Sequence, residues 1–196
     1  MSLATSGSGK STLLKILGGL DHATSGRARI HDTELTAMTD RKLTRFRRDH
    51  VDFVFPYYNL AAGLTARENV ELVTDIAVDP MPVEEALALV GLTVRLDHSP
   101  AQMSGGDQQR VAIPRGIAKR PGVLLCDEPT GALDSRTGIE VLAALDGVNY
   151  RFGTTILVIT QNSDIRRMVP RVIRFQDRRV LDGERNASRI SAKEVH

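Results

Sequence analysis

The sequence has a single cysteine, no tryptophan, three tyrosines and five phenylalanines among its 196 residues. Because Cys126 has no second cysteine to pair with, no internal disulfide can form, and a reducing compartment is the natural setting. No apolar run approaches the roughly 20 residues that a membrane-spanning helix needs, and the amino terminus lacks the layout of a secretory signal peptide. These absences predict a cytoplasmic protein.

Net charge is also nearly absent, at +2 from 26 basic and 24 acidic residues. Since this balance gives no electrostatic sign of a nucleic-acid partner, we expect the chain to bind no nucleic acid. The chain is 41% hydrophobic and 26% charged, which is ordinary for a globular protein and excludes a disordered or collagen-like chain. Its length suits a single domain, residues 1–196.

Short β-rich runs alternate along the chain with helical stretches, which predicts an α/β fold with a mainly parallel sheet. We expect the α/β core to comprise residues 1–55 and 121–182, and a helical subdomain to be inserted at residues 56–120. Residues 183–196 are expected to form a polar tail that frays from Asn186. The predicted strands are residues 27–31, 51–55, 123–126 and 154–160, and the predicted helices are residues 11–20, 40–48, 65–74, 83–90, 107–119, 134–148 and 162–168.

A phosphate-loop pattern opens the chain: residues 4–12, A-T-S-G-S-G-K-S-T, match G-x-x-x-x-G-K-[S/T] with alanine at the first glycine position. Glycines let successive backbone N–H groups turn towards an anion, and the following helix presents its positive end to the phosphates. Lys10 would reach the β- and γ-phosphates, and the Ser11 hydroxyl would ligate Mg²⁺. A disordered Gly/Ser-rich terminus is the alternative. The candidate nucleotide-binding residues are Ser6, Gly7, Ser8, Gly9, Lys10, Ser11 and Thr12.

Two acids, Asp127 and Glu128, follow the apolar run at residues 123–126. At the carboxyl end of a strand, Asp127 can hold Mg²⁺ and Glu128 can polarise a water for attack on a γ-phosphate. A solvated acidic turn after a buried strand is the alternative. Cys126 lies within the apolar run, so we interpret it as a small core residue and not a reactive thiol.

Between these motifs, residues 103–110 read M-S-G-G-D-Q-Q-R, which resembles the LSGGQ signature of ABC-type ATPases. The order and separation of the three motifs fit that family, and residues 127–134, D-E-P-T-G-A-L-D, extend the resemblance. Residues 18–21, 58–60 and 68–70 look like the subgroup that serves lipoprotein release, macrolide export and peptide efflux. Two other classes of ATP-binding protein fit less well. A DNA-repair ATPase of the same family would need a long coiled coil between the phosphate loop and the signature. A small-molecule kinase would share the phosphate loop but would have no use for the signature.

The resemblance implies a P-loop NTPase core with an inserted helical subdomain, and ATP and Mg²⁺ as cofactors. It further implies a homodimer or paired ATPase subunit arranged head to tail, with ATP between the phosphate loop of one copy and Ser104, Gly105 and Gly106 of the other. A hydroxyl and backbone N–H groups at a helix N-terminus would bind the γ-phosphate there. ATP binding and hydrolysis would drive membrane permease subunits, which places the chain peripherally on the inner face of the cell membrane.

Two family positions carry residues of different chemistry. Pro56 stands at the Q-loop glutamine and offers no side-chain oxygen to Mg²⁺ or water. Gln161 stands at the switch histidine, where it can donate a hydrogen bond but cannot carry a proton. We therefore predict hydrolysis near background. A catalytically impaired or inactive subunit with a structural role is the alternative to a working transport ATPase.

Only residues 1–3 precede the phosphate-loop pattern. We therefore expect the family's early strands to have no counterpart here, and no aromatic residue to be assignable to stacking on adenine. A gap in the sheet would leave backbone groups unpaired, at about 1–3 kcal/mol for each buried group, so we also expect marginal stability.

Overall fold

The computed structural model describes residues 2–3, 9–55, 59–131, 133–162 and 164–194. In this part of the chain the strands are β1 Ser2–Leu3, β2 Arg29–Ile30, β3 Thr33–Glu34, β4 Val51–Val54, β5 Val123–Asp127, β6 Thr155–Thr160, β7 Arg171–Gln176 and β8 Arg179–Arg185. The α-helices are α1 Lys10–Leu17, α2 Asp40–His50, α3 Ala66–Thr74, α4 Val83–Ala88, α5 Gly105–Ile117 and α6 Ser135–Phe152.

The main sheet has the strand order β4–β5–β6–β1–β7–β8. Each neighbouring pair from β4 to β7 is parallel, and β8 alone runs antiparallel, against β7. The predicted α/β fold with a mainly parallel sheet is confirmed. Because parallel strands end at one edge, the residues that follow β5, β6, β1 and β7 meet there.

Both faces of the sheet are covered, which explains the unbroken apolar sequence of β5. Successive side chains of a strand point to opposite faces. Leu124 and Cys126 pack with α5 and α6 on one face, whereas Val123 and Leu125 pack with α1 and α2 on the other. Buried parallel strands have such continuous apolar runs. The exposed fraction of Cys126 is 0%, and burial raises the pKa of its thiol, which confirms that it is a core residue.

Between β4 and β5, the described residues from 59 to 122 form helices and no strand. Helix α5 packs against α3, α4 and β4, and it joins this helical segment to the sheet. Gly116 allows the close approach, because a methyl group at its Cα would lie 3.1 Å from Cδ1 of Leu124. The segment is therefore fixed to the sheet through α5, which positions the N-terminus of that helix.

The expectation that no strand leads into the phosphate loop is wrong. Strand β1 lies between β6 and β7, with Ser2 opposite Ile159 and Ile173, and Leu3 opposite Thr160 and Arg174. A segment this short forms a strand because it pairs on both sides, so each residue gains partners from two neighbours. The sheet is continuous from β6 to β7 at these positions.

The carboxy-terminal part of the chain is more ordered than the sequence predicted. Strands β7 and β8 form a hairpin that we did not predict, and residues 183–185, assigned to the polar tail, belong to β8. The prediction that the tail frays from Asn186 is also wrong for the residues as far as Glu194. The Asn186 side chain donates to the carbonyl of Val169 at 2.6 Å, and Ala192 is buried. These contacts anchor the segment because each of them ties it to an earlier element of the chain.

Two further predicted elements differ from the structure, one in the kind of helix and the other in the sheet to which its strand belongs. The predicted α-helix at residues 162–168 is a 3₁₀-helix at Asp164–Met168. The predicted strand at residues 27–31 is shorter and pairs with β3 in a separate antiparallel hairpin, so it lies outside the parallel sheet.

Candidate functional site

A cleft of about 850 Å³ lies at the carboxyl edge of the sheet. The first turn of α1 lines one side of it with Gly9, Lys10, Ser11 and Thr12. The ends of β5 and β6 contribute Asp127, Glu128 and Gln161. The structure thus brings together the described part of the phosphate loop, the carboxylate pair and the switch-histidine position. Of the predicted residues, Ser6, Gly7, Ser8 and Pro56 lie outside the described residues.

The N-terminus of α1 faces this cleft. Gly9 precedes the helix with a φ of 84°, a left-handed conformation that glycine adopts without strain. No described side chain caps α1, so the first-turn N–H groups of Lys10, Ser11 and Thr12 face the cleft at the positive end of the helix. An anion entering the cleft therefore meets backbone donors and a favourable dipole.

The side chain of Lys10 is buried, with the residue 6% exposed. Burial lowers the pKa of its ammonium group, and the nearby carboxylates of Glu128 and Asp127 act in the opposite direction. The two carboxylates stabilise the protonated form of the buried Lys10 side chain in the folded chain. The ammonium and the carboxylates thus share one site.

Glu128 adopts a strained backbone conformation at the end of β5. Its φ is 47°, in the left-handed region that non-glycine residues rarely occupy. The conformation is held by two backbone hydrogen bonds: Glu128 N–H donates to the carbonyl of Ile159 at 2.9 Å, and Gly131 N–H donates to the carbonyl of Glu128 at 3.1 Å. Strain of this kind is found at functional sites.

The carboxylate of Glu128 is itself positioned by the neighbouring strand. The backbone N–H of Gln161, directly after β6, donates to Oε2 of Glu128 at 3.3 Å. The side chain of Gln161 is exposed and lines the cleft. A carboxylate and an amide therefore stand side by side, the first able to accept a hydrogen bond from water and the second able to donate one.

Ser104, Gly105 and Gly106 do not line this cleft. They lie at the N-terminus of α5, where Ser104 and Asp107 form a capping box: Asp107 N–H donates to Oγ of Ser104 at 3.1 Å, and Ser104 Oγ donates to Oδ2 of Asp107 at 2.9 Å. Burial opposes ionisation of Asp107, but hydrogen bonds from Ser104 and Arg110 lower its pKa. Ser104 and Gly105 are exposed.

Glycine is required at position 106 because α5 meets the first turn of α6 there. A methyl group at its Cα would lie 2.9 Å from Cγ2 of Thr137. Thr137 is fixed in turn by Asp134, the N-cap of α6, whose Oδ1 accepts from Thr137 N–H at 3.0 Å. The segment that follows Glu128 thus leads directly into the helix that supports the signature.

The structure adds residues that the sequence did not suggest for this site. Phe175, Arg178 and Val180, all in the β7–β8 hairpin, line the cleft. The one available signal was Asp177 directly after the segment of β7, since two-residue hairpin turns favour Asp at the first position. Sequence analysis assigned no aromatic residue to stacking on adenine, and Phe175 is an aromatic residue that lines the cleft.

Comparison with known proteins agrees with this geometry. A family model described as ABC transporter matches residues 3–131. An uncharacterised ABC transporter ATP-binding protein of Thermotoga maritima is 45% identical over 188 residues, covering 93% of this chain and 80% of the relative. The lipoprotein-releasing system ATP-binding protein LolD of Geobacter metallireducens is 41% identical, covering 91% of this chain and 82% of its own length.

Other relatives are much longer. The macrolide export ATP-binding/permease protein MacB of Rhodopirellula baltica is 41% identical over 190 residues, which cover 93% of this chain but 28% of MacB. A similar solved structure is the ATP-binding cassette MJ0796, as a dimer in a post-hydrolysis state bound to ADP and Pi. Its sequence is 39% identical, the TM-score is 0.84, and the match covers 94% of this chain and 83% of the cassette. No helix in the described ranges is long and apolar enough to cross a membrane. The chain belongs to the ABC transporter family, as one of its ATP-binding proteins.

Proposed function

We propose that this chain binds and hydrolyses Mg²⁺-bound ATP in the cleft at the carboxyl edge of the sheet. The observation that carries the proposal is the convergence of the first turn of α1, the buried ammonium of Lys10 and the carboxylates of Asp127 and Glu128 on one cleft. Phosphate oxygens need the N–H groups and the cation, and the metal and the attacking water need the carboxylates. Ser6, Gly7 and Ser8 complete the phosphate loop in this proposal.

Ser11 and Asp127 are the residues that would hold Mg²⁺. Among the described residues, no cluster of three or more His, Cys, Asp and Glu side chains could hold a metal by itself. This fits Mg²⁺ in nucleotide sites, which takes one or two protein oxygens and completes its shell with substrate phosphates and water. When bound, the ion neutralises charge on the β- and γ-phosphate oxygens.

For hydrolysis, Glu128 would orient the attacking water. The backbone N–H of Gln161 fixes Oε2 of this carboxylate, and Oε1 would accept a hydrogen bond from the water. The Gln161 amide would donate to the γ-phosphate, but it cannot take up a proton as a histidine can. Since one positioned contact of this kind is worth about 10²–10⁴ in rate, we propose a slow ATPase.

The site would be completed by a second copy of the chain. Ser104, Gly105 and Gly106 offer a hydroxyl and helix N-terminal N–H groups, yet they lie outside the cleft of their own copy. A head-to-tail pair would bring them to the γ-phosphate bound by the partner. The dimeric form of the similar cassette MJ0796, with a TM-score of 0.85, supports this arrangement.

We further propose that the pair acts on membrane permease subunits from the cytoplasmic, inner face of the cell membrane. The support comes from the relatives named for lipoprotein release and for macrolide export, the latter an ATP-binding/permease protein in one chain. The described part of this chain has no membrane-spanning helix.

Titration calorimetry with Mg²⁺-bound ATP tests the nucleotide site. We expect Lys10→Ala to weaken binding about 10- to 100-fold, because a charge-assisted hydrogen bond to phosphate contributes about 1.5–3 kcal/mol. Lys15→Ala is the matched control, since Lys15 is the exposed lysine of the same helix, and its affinity should not change. Equal affinities in the two variants would contradict the proposal.

A further inference from the structure

The turn of the β7–β8 hairpin places two non-glycine residues in the left-handed conformation. Asp177 and Arg178 connect Gln176 and Arg179, and their φ angles are 48° and 64°. Two consecutive left-handed residues define a type I′ turn, in which glycine is preferred at the second position. Arg178 occupies that position with a backbone conformation that costs a non-glycine residue free energy. Strain retained by a charged residue points to a role for its side chain.

The side chain of Arg178 lies against the start of α1. A methyl group at the Cα of Gly9 would lie 3.5 Å from Cγ of Arg178. Within the described residues, Arg178 forms no ion pair, although it lines the cleft together with Lys10. The cleft is therefore lined by a second cationic side chain besides Lys10.

The order of the strands fixes the direction in which a nucleotide would extend. Along the carboxyl edge, Glu128 follows β5 and Gln161 follows β6, whereas the hairpin turn follows β7, and β1 lies between β6 and β7. The groups that would act on the γ-phosphate thus lie on one side of β1, and the hairpin turn lies on the other. A nucleotide with its γ-phosphate beside Glu128 and Gln161 would extend past the N-terminus of α1 towards the hairpin.

An apolar surface occupies that side of the cleft. Phe175 and Val180 are directly opposite each other in the hairpin register, and both line the cleft together with Ile16 of α1. Val180 is 59% exposed. Among the described residues, neither Phe175 nor Val180 packs against either hydrophobic core. The ring of Phe175 is therefore not required to fill the interior.

We propose that Phe175 and Val180 form the surface on which the base of the bound nucleotide stacks, and that Arg178 lies beside its phosphates. This inference rests on the proposed nucleotide site and identifies the part of the cleft that would contact the base. An aromatic ring stacks on the face of any base, whereas selectivity among bases needs polar groups that read the base edge. The Phe175–Val180 surface offers no such groups, so ATP and GTP should bind with similar affinity.

The test compares Mg²⁺-bound ATP with Mg²⁺-bound inorganic triphosphate, which lacks the base and ribose. Phe175→Ala should weaken ATP binding about tenfold, the magnitude of one base–aromatic contact, and leave triphosphate binding unchanged. Val180→Ala should act in the same direction. Leu181→Ala is the matched control, because Leu181 is equally exposed at 59% but does not line the cleft.

Phe175→Leu is a second variant with a lower risk of misfolding, since it keeps a large apolar side chain but removes the ring. It should weaken the binding of ATP and leave the binding of triphosphate unchanged. Unchanged ATP affinity in both Phe175 variants, or an equal loss for ATP and triphosphate, would overturn the assignment while leaving the phosphate site intact. If the unmodified chain bound neither ligand, the proposed function itself would fail, and this assignment with it.

Discussion

The backbone N–H of Gln161 donates to the carboxylate of Glu128 at 3.3 Å, so the end of β6 holds the acid that follows β5. The hydrogen bond comes from the main chain and survives any change of side chain at position 161. Substitution of Gln161 therefore tests what its side chain does without releasing Glu128. The switch position and the water-orienting acid are coupled by the sheet itself, because β5 and β6 pair along their whole shared length.

We expect Gln161→His to raise the rate of ATP hydrolysis at saturating nucleotide by about 10²-fold, since an imidazole can carry the proton that an amide cannot. Phosphate release measured with γ-labelled ATP checks this. Adding Glu128→Gln to Gln161→His should return the rate to background. No gain from the histidine would show that the side chain at position 161 does not limit turnover.

Arg178→Gly should raise stability and weaken binding together. Glycine relieves the left-handed strain at the hairpin turn, so the free energy of unfolding should rise by about 1 kcal/mol in a urea titration. Affinity for Mg²⁺-bound ATP should fall about tenfold with the loss of the guanidinium. Arg179→Gly, one residue further and within β8, should lower stability and leave affinity unchanged. Identical behaviour of the two variants would contradict the distinct role of Arg178.

Two glycine-to-alanine substitutions should have opposite effects on stability. A methyl group on Gly18, after α1, would lie 1.9 Å from Cζ of Phe53, so Gly18→Ala should cost about 1–3 kcal/mol through overpacking. Gly147 has no described atom within 4 Å of the corresponding position, so Gly147→Ala in α6 should stabilise by about 1 kcal/mol through helix propensity. Urea denaturation of both variants measures the difference. A stable Gly18→Ala protein would show that Phe53 does not pack as described.

Local patterns were enough to predict the parts of the fold where one physical effect dominates. The apolar run of β5 requires burial on both faces, and the predicted strand at residues 123–126 is present as Val123–Asp127. The helix predicted at residues 107–119 is present as Gly105–Ile117, and Ser104 and Asp107, which we did not predict as its cap, fix its start. The carboxylates and Lys10 met in one cleft because strand ends and the helix after β1 share one edge of a parallel sheet.

The elements that were missed depend on tertiary partners. Strand β1 has two residues and exists because β6 and β7 pair with it on both sides, which no propensity at Ser2 or Leu3 can reveal. Strand β8 is exposed along its whole length and carries charges at most positions, so it lacks the alternation that marks a half-buried strand. Without the hairpin, the cleft position of Phe175 could not be foreseen.

Composite sites formed by two copies can be tested by mixing two inactive variants and measuring ATP hydrolysis. Lys10→Ala disables the phosphate loop, and Gly105→Glu places a carboxylate in the exposed first turn of α5, where it repels phosphate but suits the helix N-terminus. Neither variant should hydrolyse ATP alone. In a mixed pair, one of the two sites combines an intact phosphate loop with an intact signature, so an equimolar mixture should recover roughly one quarter of the unmodified rate. A mixture as inactive as its two components would contradict a site shared between copies.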